Sequence, residues 1–209
     1  MNVIEQLKWR YATKKFDTTK TLSSKQLTTL KEAFNLTALS YGLQTLKLVV
    51  IENKETREAL VEHSYGQRQV VDSSHLLILC IQSDIDEEDV NSYFKNIIAI
   101  RNTPEAVLEP FKNQLKSTIE AMPETKKEDW AIRQAYIALG NLMTVCALEK
   151  IDSCPMEGFN PDAFDTALNL KEIGLQSVLL LPVGYRAEDD MFSTLKKVRK
   201  SIENTVIDL

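Results

Sequence analysis

His75-Leu76-Leu77-Ile78-Leu79-Cys80-Ile81 is an apolar run that reads as a largely buried β-strand. Two comparable runs lie on either side of it along the chain. Leu46-Lys47-Leu48-Val49-Val50-Ile51 comes before, and Ser177-Val178-Leu179-Leu180-Leu181-Pro182-Val183-Gly184 comes after. Most of the remaining chain has helical spacing. Val3, Leu7 and Tyr11 share one face of a short helix over 3–11, and residues 54–63 also look helical. Ser23 and Gln26 form a capping-box pair ahead of Leu27, Leu30 and Phe34. The strongest helix spans 127–149. Its Ala131, Ala135 and Ala138 would let another element approach closely, which suits a central core helix or a dimer helix. Asn160-Pro161 opens a further helix. Helices outnumber strands, so the chain is expected to form an α+β, three-layer domain.

The expected organisation is a single domain over 1–209 with a helical excursion at about 84–125. That excursion is rich in charge, and Thr103-Pro104 interrupts it. Asp84 to Asp89 holds five acids in six residues, the composition of a solvated helix entry. At the end of the chain, Thr205-Val206-Ile207-Asp208-Leu209 is extended and apolar. Such a tail is expected to add to a sheet edge, on another subunit if not on its own.

Hydrophobic residues make up 44% of the 209 and charged residues 26%, with a formal net charge of −5. An acidic balance argues against nucleic acid or anionic membrane as a general partner. No unbroken apolar run reaches the length of a membrane span, and the first fifteen residues contain no secretory h-region. Cys80, Cys146 and Cys154 are odd in number and lack CxxC spacing, and His63 and His75 are isolated. These features lead to the expectation of a cytoplasmic protein without structural disulfides or a metal site.

Against this acidic background, cations cluster at both ends of the chain. Arg10 and Lys14 lie near the start, Lys197 and Arg199 near the finish. Folded domains often bring their termini together, so the two clusters could converge on one phosphate-sized anion. The alternative for Lys196–Lys200 is the solvated face of a helix. There is no GxGxxG, P-loop, GxSxG or HExxH, and no side-chain pattern suggests a triad. An enzyme lacking reactive side chains of its own usually borrows a cofactor.

Five further segments, in order, resemble the motifs of the FMN-dependent nitroreductase family. They are Lys8-Trp9-Arg10-Tyr11-Ala12-Thr13-Lys14-Lys15-Phe16; Ser40-Tyr41-Gly42-Leu43-Gln44; the helix from Trp130 through Gln134 to Asn141; Cys154-Pro155-Met156-Glu157-Gly158-Phe159; and Gly184-Tyr185-Arg186 with Lys197 and Arg199. The resemblance implies a three-layer α/β/α fold with a mixed central sheet, helices on both faces, and a C-terminal arm exchanged in a dimer. It also implies that Arg10, Lys14, Lys197 and Arg199 hold FMN, chiefly by its phosphate, with Lys14 reaching the ring. Tyr11 and Ala12 would line the phosphate and ribityl side, while Pro155, Met156, Glu157 and Gly158 would pack on one ring face. Leu39, Ser40 and Gly42 would come from the second subunit. Gln69 would face the ring's carbonyl edge, although Gly66 lacks the side chain the family often has there. Taken alone, Met156 also reads as a core residue and Glu157 as a turn carboxylate.

The activity this resemblance implies is hydride transfer from NADPH or NADH, through FMN, to a nitroaromatic or quinone-type small molecule by a ping-pong mechanism. It implies a homodimer with the flavin at the subunit interface, and no catalytic acid, base or nucleophile. Two alternatives are a flavin-dependent reductase of a specific metabolite such as a pteridine, and a non-catalytic FMN-binding module.

Overall fold

The apolar run at His75 forms the central element of the computed structural model, which describes residues 2–209. In chain order the elements are α1 (Val3–Trp9), α2 (Ser24–Asn35), β1 (Leu46–Ile51), α3 (Lys54–Ala59), α4 (Gln69–Asp72), β2 (His75–Gln82), α5 (Glu87–Arg101), α6 (Glu105–Glu120), α7 (Glu124–Leu148), β3 (Asp152–Ser153), α8 (Pro161–Ala167) and β4 (Leu175–Gly184). The sheet order is β1-β2-β4-β3. Leu48 pairs with Leu79, Leu77 with Leu181, and Ser153 with Val183.

The strand-to-strand ladders are all antiparallel. The mixed sheet implied by the resemblance is therefore not found within the four strands. Parallel pairing occurs at one isolated bridge, Ala12 with Ser153, beyond β3. That bridge puts the N-terminal basic segment against the sheet edge.

Successive side chains of β2 enter opposite layers, as strand geometry requires. Leu77, Leu79 and Ile81 join a core with Leu30, Phe94, Leu115, Ala135 and Leu142. Leu76, Ile78 and Cys80 join a second core with Leu60, Val70, Met156 and Phe164. A sheet covered on both faces needs apolar residues at every position, which explains the missing alternation in the sequence. Each such Leu or Ile removed from water contributes about 1.5–3 kcal/mol.

Local signals set several boundaries. The Ser23–Gln26 capping box is formed reciprocally at the start of α2. Asn160 caps α8, with Pro161 in its first turn. The helix expected over 54–63 ends at Ala59, and Glu62–Ser64 forms a separate 3-10 turn. The excursion becomes the helix pair α5 and α6, which pack together through Phe94 and Phe111 at 5.5 Å between ring centroids. Phe94, Ile97, Leu115 and Ile119 place its inner face in the main core. By length and composition α7 is able to cross a membrane, yet Ala131, Ala135, Ala138 and Leu142 are buried in that same core.

Two expectations change, and the tail finds no place on the sheet of its own chain. Val3 and Leu7 of α1 are exposed rather than packed, and the helix ends before Tyr11. Residues 195–200 form no helix, so Lys196–Lys200 is not a helical face. The C-terminal tail pairs with no strand of this chain, and Ile207 and Leu209 are exposed.

Candidate functional site

The two ends of the chain meet beside β3. Thr13 N–H donates to Ser153 O at 3.2 Å, and Asp17 N–H donates to Tyr185 O at 2.8 Å. Phe16 bridges Arg186, and Ala187 N–H donates to Lys15 O at 3.0 Å. The end of β4 can pass this close because residue 184 is glycine: a Cβ there would stand 2.9 Å from Ser74 N.

A second set of contacts locks the corner. Arg186 donates from its backbone N–H to Asp152 Oδ2 at 2.9 Å and from Nε to Oδ1 at 2.7 Å. Its guanidinium carbon lies 4.3 Å from the Trp9 ring centroid and 4.5 Å from that of Tyr11. An arginine held by a buried carboxylate and two rings is a rigid strut.

The junction encloses a cleft of about 560 Å³. Six cationic side chains line it (Lys8, Arg10, Lys14, Lys196, Lys197 and Arg199), together with Met143 and Pro155, and no carboxylate does. Lys197 Nζ donates to Arg10 O, which ties the two basic clusters directly. Burial, and then the nearby Arg199, lower the pKa of Arg10. Burial lowers that of Lys197 as well, helped by Arg10 and Arg199. Arg10 Nε is buried without a hydrogen-bond partner among the described residues. Crowded cations and an unsatisfied guanidinium donor, beside the apolar Met143 and Pro155, suit an anionic group on a ligand that also carries apolar surface.

Beneath the cleft, Lys14 Nζ lies 3.9 Å from Cys154 Sγ. Burial raises the Cys154 thiol against the opposing pull of Lys14 and Arg10, and burial pushes Cys146 up to about 12. Both thiols are therefore neutral packing groups at ordinary pH.

Of the residues singled out from sequence, Arg10, Tyr11, Ala12, Lys14, Pro155, Lys197 and Arg199 line this cleft. Leu39, Ser40, Gly42, Gln69, Met156, Glu157 and Gly158 do not. Ser40 N–H donates to Gln134 Oε1 at 2.9 Å, and Gly42, at φ +75°, faces the Tyr93 ring. Gln69 opens α4 and is buried. Met156 corrects the ring-face expectation for its side chain. It is buried in the second core, and its N–H and carbonyl both pair with Leu180, at 2.9 and 3.0 Å. Gly158 O accepts from Gln67 Nε2 at 2.7 Å, a contact that no sequence motif marked.

Asp190 was also missed. It is 3% exposed, and its carboxylate takes hydrogen bonds from Tyr11, Lys14, Lys15 and Phe192. The Tyr11 hydroxyl is thus spent on Asp190, leaving its ring and backbone to the cleft. The available signal was the acidic run Glu188-Asp189-Asp190 just before the C-terminal cations.

Comparison with known proteins agrees with this architecture. The family model described as the nitroreductase family matches residues 7–185. A Staphylococcus haemolyticus (strain JCSC1435) protein, provisionally named an NAD(P)H nitroreductase, is 33% identical over 212 residues, covering 98% of this chain and 95% of its own. Bacillus subtilis (strain 168) YfkO, named in the same provisional way, is 31% identical and covers 98% and 96%. Among solved structures, the provisional nitroreductase YdfN of Bacillus subtilis superposes with a TM-score of 0.88 at 21% identity, over 99% and 98% of the two chains. A provisional nitroreductase of Exiguobacterium sibiricum 255-15, solved in complex with FMN, gives 0.84 at 20% identity, over 100% and 98%. With a family model covering most of its length and relatives above 30% identity along nearly all of it, the chain belongs to the nitroreductase family.

Proposed function

We propose that this protein is an FMN-dependent oxidoreductase that takes hydride from NADPH or NADH and passes electrons to flat, electron-poor acceptors of the nitroaromatic or quinone type. The observation that carries this reading is the cleft at the joined chain ends: six cations and no carboxylate, in a chain of net charge −5. When bound, FMN supplies a carrier that accepts hydride from one substrate and releases electrons to another.

The protein's own residues hold, orient and tune. Arg10, Lys197 and Arg199 would grip the phosphate, Arg10 offering the Nε donor that no group among the described residues satisfies. Lys14 puts a fixed positive charge at the ring, where it favours added negative charge. Tyr11 and Ala12 line the ribityl side, and Pro155 supplies apolar surface. The backbone N–H of Glu157 or Gly158 would be available to the ring, since neither donates to another group among the described residues.

Leu39, Ser40 and Gly42 do not line the cleft of their own chain, and in this reading a second copy supplies them. The exposed apolar side chains of α1 and of the tail suit burial in such a homodimer. Donor and acceptor then occupy one space in turn; the flavin would carry the hydride and solvent would supply the protons the acceptor takes up, so this reading assigns no side chain as acid, base or nucleophile.

Steady-state kinetics test this mechanism. With NADPH and menadione varied together, double-reciprocal plots are expected to be parallel, and a nitrofuran should replace menadione. Intersecting lines would remove the shared-space mechanism. Turnover of a pterin with indifference to both other acceptors would make the protein a reductase of one metabolite.

A further inference from the structure

A carboxylate that is 3% exposed must recover its lost hydration from protein donors. Asp190 does so with four bonds. Its Oδ2 accepts from Tyr11 Oη at 2.8 Å, Lys14 N at 2.9 Å and Lys15 N at 3.1 Å, while Oδ1 accepts from Phe192 N at 3.0 Å. None of these donors is an ammonium or a guanidinium. The Lys15 ammonium goes to Asp189, and that of Lys14 points to Cys154 Sγ. Asp190 therefore does not serve as a simple counter-ion to the cation cluster. It fastens backbone.

The positions of those donors give the fastening its consequence. Three belong to Tyr11–Lys15, which supplies one wall of the cleft. The fourth opens the segment that runs on to Lys197 and Arg199. One carboxylate thus joins the two halves of the anion site, and any side-chain change at 14 or 15 short of proline leaves its amide partners in place. Burial pushes the Asp190 carboxyl up, yet the four bonds outweigh it and hold the group below the usual carboxylate range. It is ionised at neutral pH.

We propose that Asp190 is a positioning residue for the flavin chemistry: by holding the Lys14 amide it sets where the Lys14 ammonium stands against the ring, and by holding Phe192 it sets the arm that grips the phosphate. The inference rests on the FMN reading above.

The test uses the purified full chain reconstituted with FMN. Asp190→Asn turns an acceptor-only group into one that offers an N–H to other donors. It should weaken FMN binding by about 30-fold, the scale of a lost charge-assisted contact. It should also make the reduction potential of bound FMN more negative, because the cation no longer stands at its place. If Asp190 acts through Lys14, adding Asp190→Asn to Lys14→Met should shift the potential no further than Lys14→Met alone. Tyr11→Phe removes one bond and leaves the carboxylate, so about 3- to 10-fold weaker binding is expected. It decides the matter if Asp190→Asn fails to fold. Wild type that binds FMN, with variants binding within about twofold of it at an unchanged potential, would overturn the inference alone. Wild type that does not bind FMN would overturn the reading beneath it, and the inference with it.

Discussion

Replacing Arg10 by alanine is expected to weaken FMN binding about 100-fold, the largest loss from any single side chain in the cleft. The reason is specific to its position. Arg10 is half-buried, its Nε has no partner among the described residues, and Arg199 and Lys197 crowd it with like charge. In the proposed reading an incoming phosphate would satisfy the buried donor and relieve that repulsion together, and charge-assisted hydrogen bonds of this type contribute about 1.5–3 kcal/mol each. Lys8 is the natural control. It lines the same cleft but pairs with Glu5 at 3.5 Å, and its side chain is 69% exposed. Lys8→Ala should change affinity by no more than about threefold, as exposed ion pairs do. Fluorescence titration of the apoprotein with FMN measures both, and equal losses would mean that cation number rather than placement governs the site.

Phe164→Ala is expected to cost about 3–5 kcal/mol of folding stability, near the upper limit for a single core truncation. Phe164 is fully buried on α8 and meets Phe159 edge-on, with ring centroids 4.9 Å apart. Phe159 closes the Pro155–Gly158 turn, so the cavity opens directly behind a segment assigned to the flavin face. Urea unfolding of the apoprotein, monitored by far-UV circular dichroism, measures the loss without a contribution from ligand binding. A change below about 1 kcal/mol would show that the second core repacks around the gap.

These two residues also mark what the sequence made legible. Local rules worked where the determinant is local. The Ser23–Gln26 box, the Asn160-Pro161 opener and the apolar runs of β1, β2 and β4 each carry their own signal, and each element starts or lies where that signal says. The convergence of Arg10 with Lys197 was legible as a charge anomaly in an acidic chain. Pairings set by tertiary contact were not. Asp190 bonds residues 175 to 179 positions away, and its neighbours Glu188 and Asp189 hide it in an ordinary acidic run. The antiparallel direction of the sheet depends on how the connections cross, which strand hydrophobicity does not encode. Met156 sits in a motif read as facing the ring, yet strand alternation beside Leu180 turns its side chain into the core. The exposed face of α1 and the apolar tail carry the same lesson in reverse, because their periodicity predicts burial that a single chain does not provide.

The measurement that tests the central claim most directly is anaerobic addition of NADPH, and separately NADH, to the purified protein reconstituted with FMN. The account predicts about one FMN per chain, with visible absorption that bleaches on adding at least one donor and returns when menadione is added. Bound flavin that neither donor bleaches would contradict it, leaving a protein that holds FMN in its cationic cleft without passing electrons through it.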